Sequence, residues 1–240
     1  MNLKLLIVAA VTVLSGCATL DDHNKLVDKV EELEKKLAEV EKSGGKAAPK
    51  DEKAEKAAAA IYEKVGKLIR EGDTDGAKKQ LAELKAKFSN TTAYRRARKM
   101  ERELEVIGKA APKSLDVEKW YTSESAIDFA SDKPTLLVFW EIWCPHCRRE
   151  VPKLQATWDK YGDKIQMVGL TKITRSATEE KVTEFIAEEK VTYPTAKENG
   201  DLSKYFNVSG IPAAAVVKGG EIVWRGHPGR LNDAMIDGWL

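Results

Sequence analysis

Cysteine is scarce in this chain: three in 240 residues, at positions 17, 144 and 147. That is too few for a disulfide-stapled scaffold, and once Cys17 is set aside a single pair remains. Histidine is equally rare, with three. A structural zinc site wants four Cys or His ligands, usually in paired spacings, and no second cysteine pair exists to supply them. The formal net charge is only +2, from 40 Lys and Arg against 38 Asp and Glu, so nothing argues for nucleic acid as a partner. No apolar run reaches the roughly 17–25 residues of a membrane-spanning helix. Neither a metal nor another cofactor is expected.

The longest apolar run, Leu5 to Leu14, is interrupted only by Thr12 and follows Lys4. A short apolar run behind a positive charge fits a signal peptide, here residues 1–16. Leu14-Ser15-Gly16-Cys17 resembles a bacterial lipobox, in which the chain is cut before a lipid-bearing cysteine. Diacylglycerol on Cys17 plus an acyl chain on the new amino terminus would satisfy the two-chain requirement for stable anchoring. The expectation is a lipid-anchored protein of the bacterial cell envelope, facing the periplasm. Ala18 after the cysteine favours the outer membrane, by resemblance to an enterobacterial sorting rule. The alternative is an ordinary signal peptide with a chance cysteine.

Beyond Cys17 the chain divides by rhythm. From Asp22 to Lys42 the apolar residues are Leu26, Val30, Leu33, Leu37 and Val40, spaced alternately four and three apart. That is a short coiled-coil seam, readable as a spacer arm (17–42) or a homo-oligomer contact through 22–42. Residues 43–51, with Gly44, Gly45 and Pro49, read as a linker. Residues 52–109 read as three helices, resembling a tetratricopeptide-like unit without a recurring repeat. Their inward stripes are Ala57, Ile61, Val65, Leu68 and Ile69, then Ala77, Leu81, Leu84 and Phe88, then Ala93, Ala97, Met100, Leu104 and Ile107, stopping at Gly108. Arg95, Arg96, Arg98, Lys99 and Arg102 make the third helix basic, which reads as a solvated face, with a surface for an anionic partner as the alternative.

After Pro112 strands and helices alternate, which predicts an α/β layer fold over 112–240. Strands are expected at 135–140, 165–170, 192–196, 213–217 and 221–224. Helices are expected at 145–160, 178–189, 202–206 and 231–240.

Cys144-Pro145-His146-Cys147 lies where a buried strand meets a helix. A helix start offers unpaired N–H groups and a partial positive charge, which stabilise a thiolate. Pro145 fits the first helical position, where its missing N–H costs nothing. Cys144 would attack a disulfide, and Cys147, one turn on, would release the mixed disulfide. His146, inside the motif, is placed to stabilise the Cys144 thiolate and make the disulfide more oxidising.

The segment from Phe139 to Pro152, FWEIWCPHCRREVP, resembles the active site of TlpA/ResA-type thiol–disulfide oxidoreductases of the thioredoxin superfamily. Gly210-Ile211-Pro212-Ala213 resembles that family's cis-proline loop. The resemblance covers about 112–240. It implies a thioredoxin-like central mixed sheet flanked by helices, here preceded by the coiled-coil and helical segments, with Pro212 cis and facing the disulfide. Val138 stands where cytoplasmic thioredoxins carry a buried aspartate. Glu150 matches a glutamate of ResA-like members that could take the proton of Cys147, and Glu141 is a second candidate. The Pro-His pair resembles DsbA, an oxidant, on a scaffold of reductants, so direction stays open. Expected partners are protein thiols or disulfides, a membrane redox partner, and the lipid bilayer through acylated Cys17. Two rivals stand beside this reading: a non-enzymatic scaffold lipoprotein, and a peroxide-reducing redoxin, which would resemble a Pro-x-x-x-Thr-x-x-Cys pattern that Cys144 lacks.

Overall fold

A computed structural model describes residues 25–35 and 51–240. Two units separate, Met1–Asp51 and Glu52–Leu240. In the first, residues 25–35 form a helix, α1, with Leu26 and Leu33 exposed. Cys17, the remaining seam positions Leu37 and Val40, and the linker up to residue 50 lie outside the described residues. Among the described residues no helix is long and apolar enough to cross a membrane.

The second unit opens with three helices, α2 (Glu52–Arg70), α3 (Thr74–Phe88) and α4 (Thr92–Leu104). Acidic residues in the first turn of α2 and basic ones in its last match the helix dipole. Gly72, at φ 77°, ends that helix, since only glycine enters the left-handed region freely. Asp73 then caps α3, its carboxylate accepting from the Gly76 N–H at 2.8 Å. Thr91 caps α4 in the same way. Ala58, Val65, Ala77, Leu81, Leu84, Ala93, Ala97 and Leu104 close the bundle's core. The expected stripe is off by one residue at its start: Ala57 is exposed and Ala58 is buried. Helix α4 also ends at Leu104, short of Gly108.

A six-stranded sheet follows, in the order β1-β4-β3-β2-β5-β6. The strands are β1 (Lys119–Trp120), β2 (Thr135–Trp140), β3 (Gln166–Thr171), β4 (Thr195–Lys197), β5 (Ala213–Lys218) and β6 (Glu221–Gly226). β2 runs parallel to β3 and antiparallel to β5, so the sheet is mixed. Every residue of β2 is buried. Leu136, Val138 and Trp140 enter one core, and Leu137 and Phe139 the other, as the two-residue period of a strand requires. A sheet with both faces covered reads as a continuous apolar run.

Helices α5 (Pro145–Glu150), α6 (Leu154–Tyr161), α7 (Glu179–Glu188), α8 (Asp201–Tyr205) and α9 (Asp233–Trp239) cover the sheet. The single helix expected over 145–160 is in fact two, α5 and α6. Pro152 has no N–H and its ring clashes with the carbonyl four residues back, so the helix breaks at 151–153. The edge strand β1, only two residues long, is too short to show a period in the sequence. Bundle and sheet join by backbone pairing. The Gly108 N–H donates to the Ile222 carbonyl at 2.9 Å and the Ile222 N–H to the Lys109 carbonyl at 2.9 Å, covering the β6 edge.

Candidate active site

The chain leaves β2 at Trp140 and turns through Glu141, Ile142 and Trp143 into Cys144. The Cys144 N–H donates to the Glu141 carbonyl at 3.1 Å, which closes the turn. Cys144 caps α5 with an extended backbone (φ −84°, ψ 114°), and Pro145 takes the first helical position. The Cys144 carbonyl accepts from the Arg148 N–H at 3.1 Å. Both cysteines are free thiols. Cys144 keeps 5% exposure and Cys147 none. Both are buried, and only the first cysteine keeps any exposure.

The Cys144 thiol donates to the Ile211 carbonyl at 3.7 Å. The next peptide, Ile211–Pro212, is cis. The cis-proline loop thus lies against the attacking sulfur. Cys147 packs among Trp140, Val151 and Tyr193. Burial pushes its thiol well above the ordinary range, a backbone hydrogen bond from Glu141 opposes that shift, and the nearby Cys144 and Glu141 add to it.

Two carboxylates stood as proton acceptors for Cys147, and the structure separates them. Glu150 pairs with Lys153 at 2.9 Å. Its second oxygen lies against Gly229, 3.0 Å from where a β-carbon would stand. It makes no hydrogen bond to either cysteine. Glu141 is 6% exposed at the end of β2, and its charge acts on the Cys147 thiol. One of its oxygens accepts from the Trp143 indole N–H at 2.6 Å and from the Thr174 hydroxyl. The other lies 3.9 Å from the Lys172 ammonium. A buried carboxylate needs such hydrogen-bonding partners to offset its lost hydration. The Arg175 guanidinium stacks 3.6 Å over the Trp143 ring and completes the wall.

His146 is exposed, and its Nδ1 lies 2.7 Å from the Arg149 guanidinium. Arginine only donates, so Nδ1 accepts. Lys172, Thr174 and Arg175 carried no local signal, because the β3–α7 loop brings them in from 31 or more residues away. Among the described residues no group of three or more His, Cys, Asp or Glu converges as a metal site would need.

Residues 107–225 match the model of the AhpC/TSA family. This part of the chain is similar to that family and has a thioredoxin-like sheet flanked by helices. The thioredoxin-like protein YneN of Bacillus subtilis is 27% identical over 129 residues, covering 52% of this chain and 73% of that protein. Sporulation thiol-disulfide oxidoreductase A of Bacillus subtilis is 31% identical over 82 residues, covering 33% of this chain and 50% of its own length. Thiol-disulfide oxidoreductase ResA of Oceanobacillus iheyensis is 29% identical over 92 residues, covering 38% of this chain and 47% of its own length. The chain therefore spans only about half the length of these two. Among solved structures, StoA of Bacillus subtilis is 25% identical, covers 53% of this chain and 98% of its own, and superposes with a TM-score of 0.43. The thioredoxin-like domain carries its two cysteines at the junction of β2 and α5, between the cis-proline loop and the Glu141 cluster.

Proposed function

We propose that the chain exchanges disulfides with protein substrates through Cys144 and Cys147. The carrying observation is the unequal pair: a cap cysteine against a cis-proline loop and a fully buried partner one turn on. In reduction, the Cys144 thiolate attacks one sulfur of a substrate disulfide. That bond breaks, a mixed disulfide forms, and the other substrate sulfur leaves as a thiolate that takes up a proton. Cys147 then gives its proton to Glu141, directly or through a water, and attacks the Cys144 sulfur. The Cys144–Cys147 bond forms and the second substrate thiol is released. Two electrons have passed from the dithiol to the substrate. Oxidation of a dithiol substrate runs through the same atoms in reverse. His146 tunes the poise of the pair from the exposed first turn of α5, held by Arg149.

The location and the partners belong to the same reading. The Leu14–Cys17 motif supports a lipid anchor in the cell envelope with the catalytic unit facing the periplasm, and a membrane redox partner would reset the pair. The 22–42 seam supports association between copies.

The direct experiment mixes the reduced full chain with a disulfide-bonded protein, in stoichiometric amounts and without another reductant. One equivalent of substrate dithiol should appear for each Cys144–Cys147 disulfide formed, and Cys144→Ser should abolish it. Consumption of hydrogen peroxide without any exchange with the protein substrate would favour a peroxide-reducing redoxin instead.

A further inference from the structure

We propose that the basic face of α4 is a docking surface for acidic segments of the protein substrate, set beside the reactive sulfur by the cis-proline loop. The inference rests on the oxidoreductase reading and adds a substrate class to it. Arg95, Arg98, Lys99 and Arg102 fall at i, i+3, i+4 and i+7, one face of the helix. Ala93, Ala97 and Leu104 bury the other. Arg95, Arg98 and Lys99 are exposed. None of the four forms an ion pair among the described residues, whereas Lys67, Lys85 and Lys87 of α2 and α3 each pair with a glutamate. The first turn of α4 also holds no acidic residue and carries Arg95, a cation where the helix dipole disfavours one. Arg95 donates to the Asn90 carbonyl at 3.3 Å and to the Thr92 hydroxyl at 3.0 Å, which holds it at the start of the face while its charge stays unpaired by any carboxylate among the described residues.

The second observation is where this face leads. The Arg102 guanidinium donates to the Ser209 hydroxyl at 3.0 Å. The Asn207 side-chain amide donates to the Arg102 carbonyl at 3.1 Å and to Glu105 at 3.0 Å. The end of α4 is thus clamped to the loop whose Ile211 carbonyl accepts the Cys144 thiol. From Arg102 back to Arg95 the face extends roughly 10 Å at 1.5 Å per residue. An extended substrate segment held at the cis-proline loop would cover that distance in about three residues. Its acidic side chains would meet the three exposed cations as its cysteine meets Cys144.

The test uses the reduced full chain in single turnover against two disulfide-containing peptides, identical except for acidic or neutral residues flanking the target cysteine. Trp143, next to Cys144, reports the reaction by fluorescence. The acidic peptide should react about tenfold faster at low salt, as charge steering allows. That advantage should fade as salt shortens the screening length to about 3 Å near 1 M. Arg95→Ser/Arg98→Ser/Lys99→Ser should bring the ratio of the two rates to about one, with thermal unfolding checking the fold. The salt titration on the parent chain tests the same claim without any substitution. Equal rates for both peptides in the parent overturn the inference, as does a preference that survives the triple change. Binding of the parent, but not the triple variant, to phosphatidylglycerol vesicles without any peptide preference would overturn it in favour of a lipid surface. If neither peptide reacts, the oxidoreductase reading itself fails.

Discussion

Glu141→Gln keeps the shape of the side chain and removes the carboxylate proposed to take the Cys147 proton. Two effects follow, of opposite sign. The Glu141 charge disfavours a Cys147 thiolate, so its removal should lower that thiol's pKa, although burial remains the larger cause of the elevation. Lost base assistance should nevertheless slow the resolving step. General-base help is typically worth about 10²–10⁴ in rate. One Glu141 oxygen is already engaged by Trp143 and Thr174, leaving the oxygen near Lys172 as the acceptor. We therefore expect the lower end, about 10²-fold, or roughly 2.7 kcal/mol at 1.36 kcal/mol per decade. Stopped-flow mixing with a chromogenic disulfide separates the steps. The chromophore leaves when Cys144 attacks, and Trp143 fluorescence changes when Cys147 resolves. The expected variant forms the mixed disulfide at the parental rate and resolves it slowly. Resolution at the parental rate in Glu141→Gln, with slow resolution in Glu150→Gln, would return the role to Glu150.

Cys147→Ser should accumulate mixed disulfides through Cys144 on non-reducing gels, and traps through Cys147 in Cys144→Ser would reverse the assignment. Alkylation of the native dithiol should modify Cys144 first, and Cys147 only as pH rises or the fold opens, as peptide mapping by mass spectrometry would show. The stability of the reduced form follows from the same thiol. Its folded pKa is raised, so its contribution is full below the unfolded value of about 8.5 and is lost as pH climbs toward the folded one. The melting temperature of the reduced form should therefore fall above about pH 9 relative to the oxidised form, which lacks the titrating thiol; parallel curves would contradict this. Mass spectrometry of membrane-extracted protein should find a mature chain beginning at an acylated Cys17; a free Met1 would remove the anchor.

The placement of the cysteine pair was legible because its geometry is local. Strand, turn, Cys144, Pro145 and Cys147 occupy consecutive positions, and the spacing alone puts one sulfur at the cap and the other a turn on. The covering of both sheet faces was legible in the unbroken apolar run of β2. The break at Pro152 had its signal in the sequence, but the helical pattern around it concealed the consequence. Glu150 shows what spacing leaves undecided. Its position one turn past Cys147 is local, whereas its side chain is drawn to Lys153 and Gly229. Glu141 depends on Lys172 and Thr174, which arrive only when β3 pairs with β2. The basic stripe of α4 reads as solvated until the fold sets Arg102 against Ser209, 107 positions away in the chain.

The reduction potential of the Cys144–Cys147 pair tests the central claim most directly. The full chain is equilibrated in thiol–disulfide buffers of graded ratio, and the free thiols are trapped and counted by mass. A single two-electron transition is expected between about −120 and −270 mV, the span from strong oxidants to thioredoxin-like reductants, with an intramolecular Cys144–Cys147 disulfide as the only oxidised form. A potential below about −300 mV, the range of structural disulfides, or thiols that stay free in oxidising buffer, would contradict a disulfide-exchanging pair.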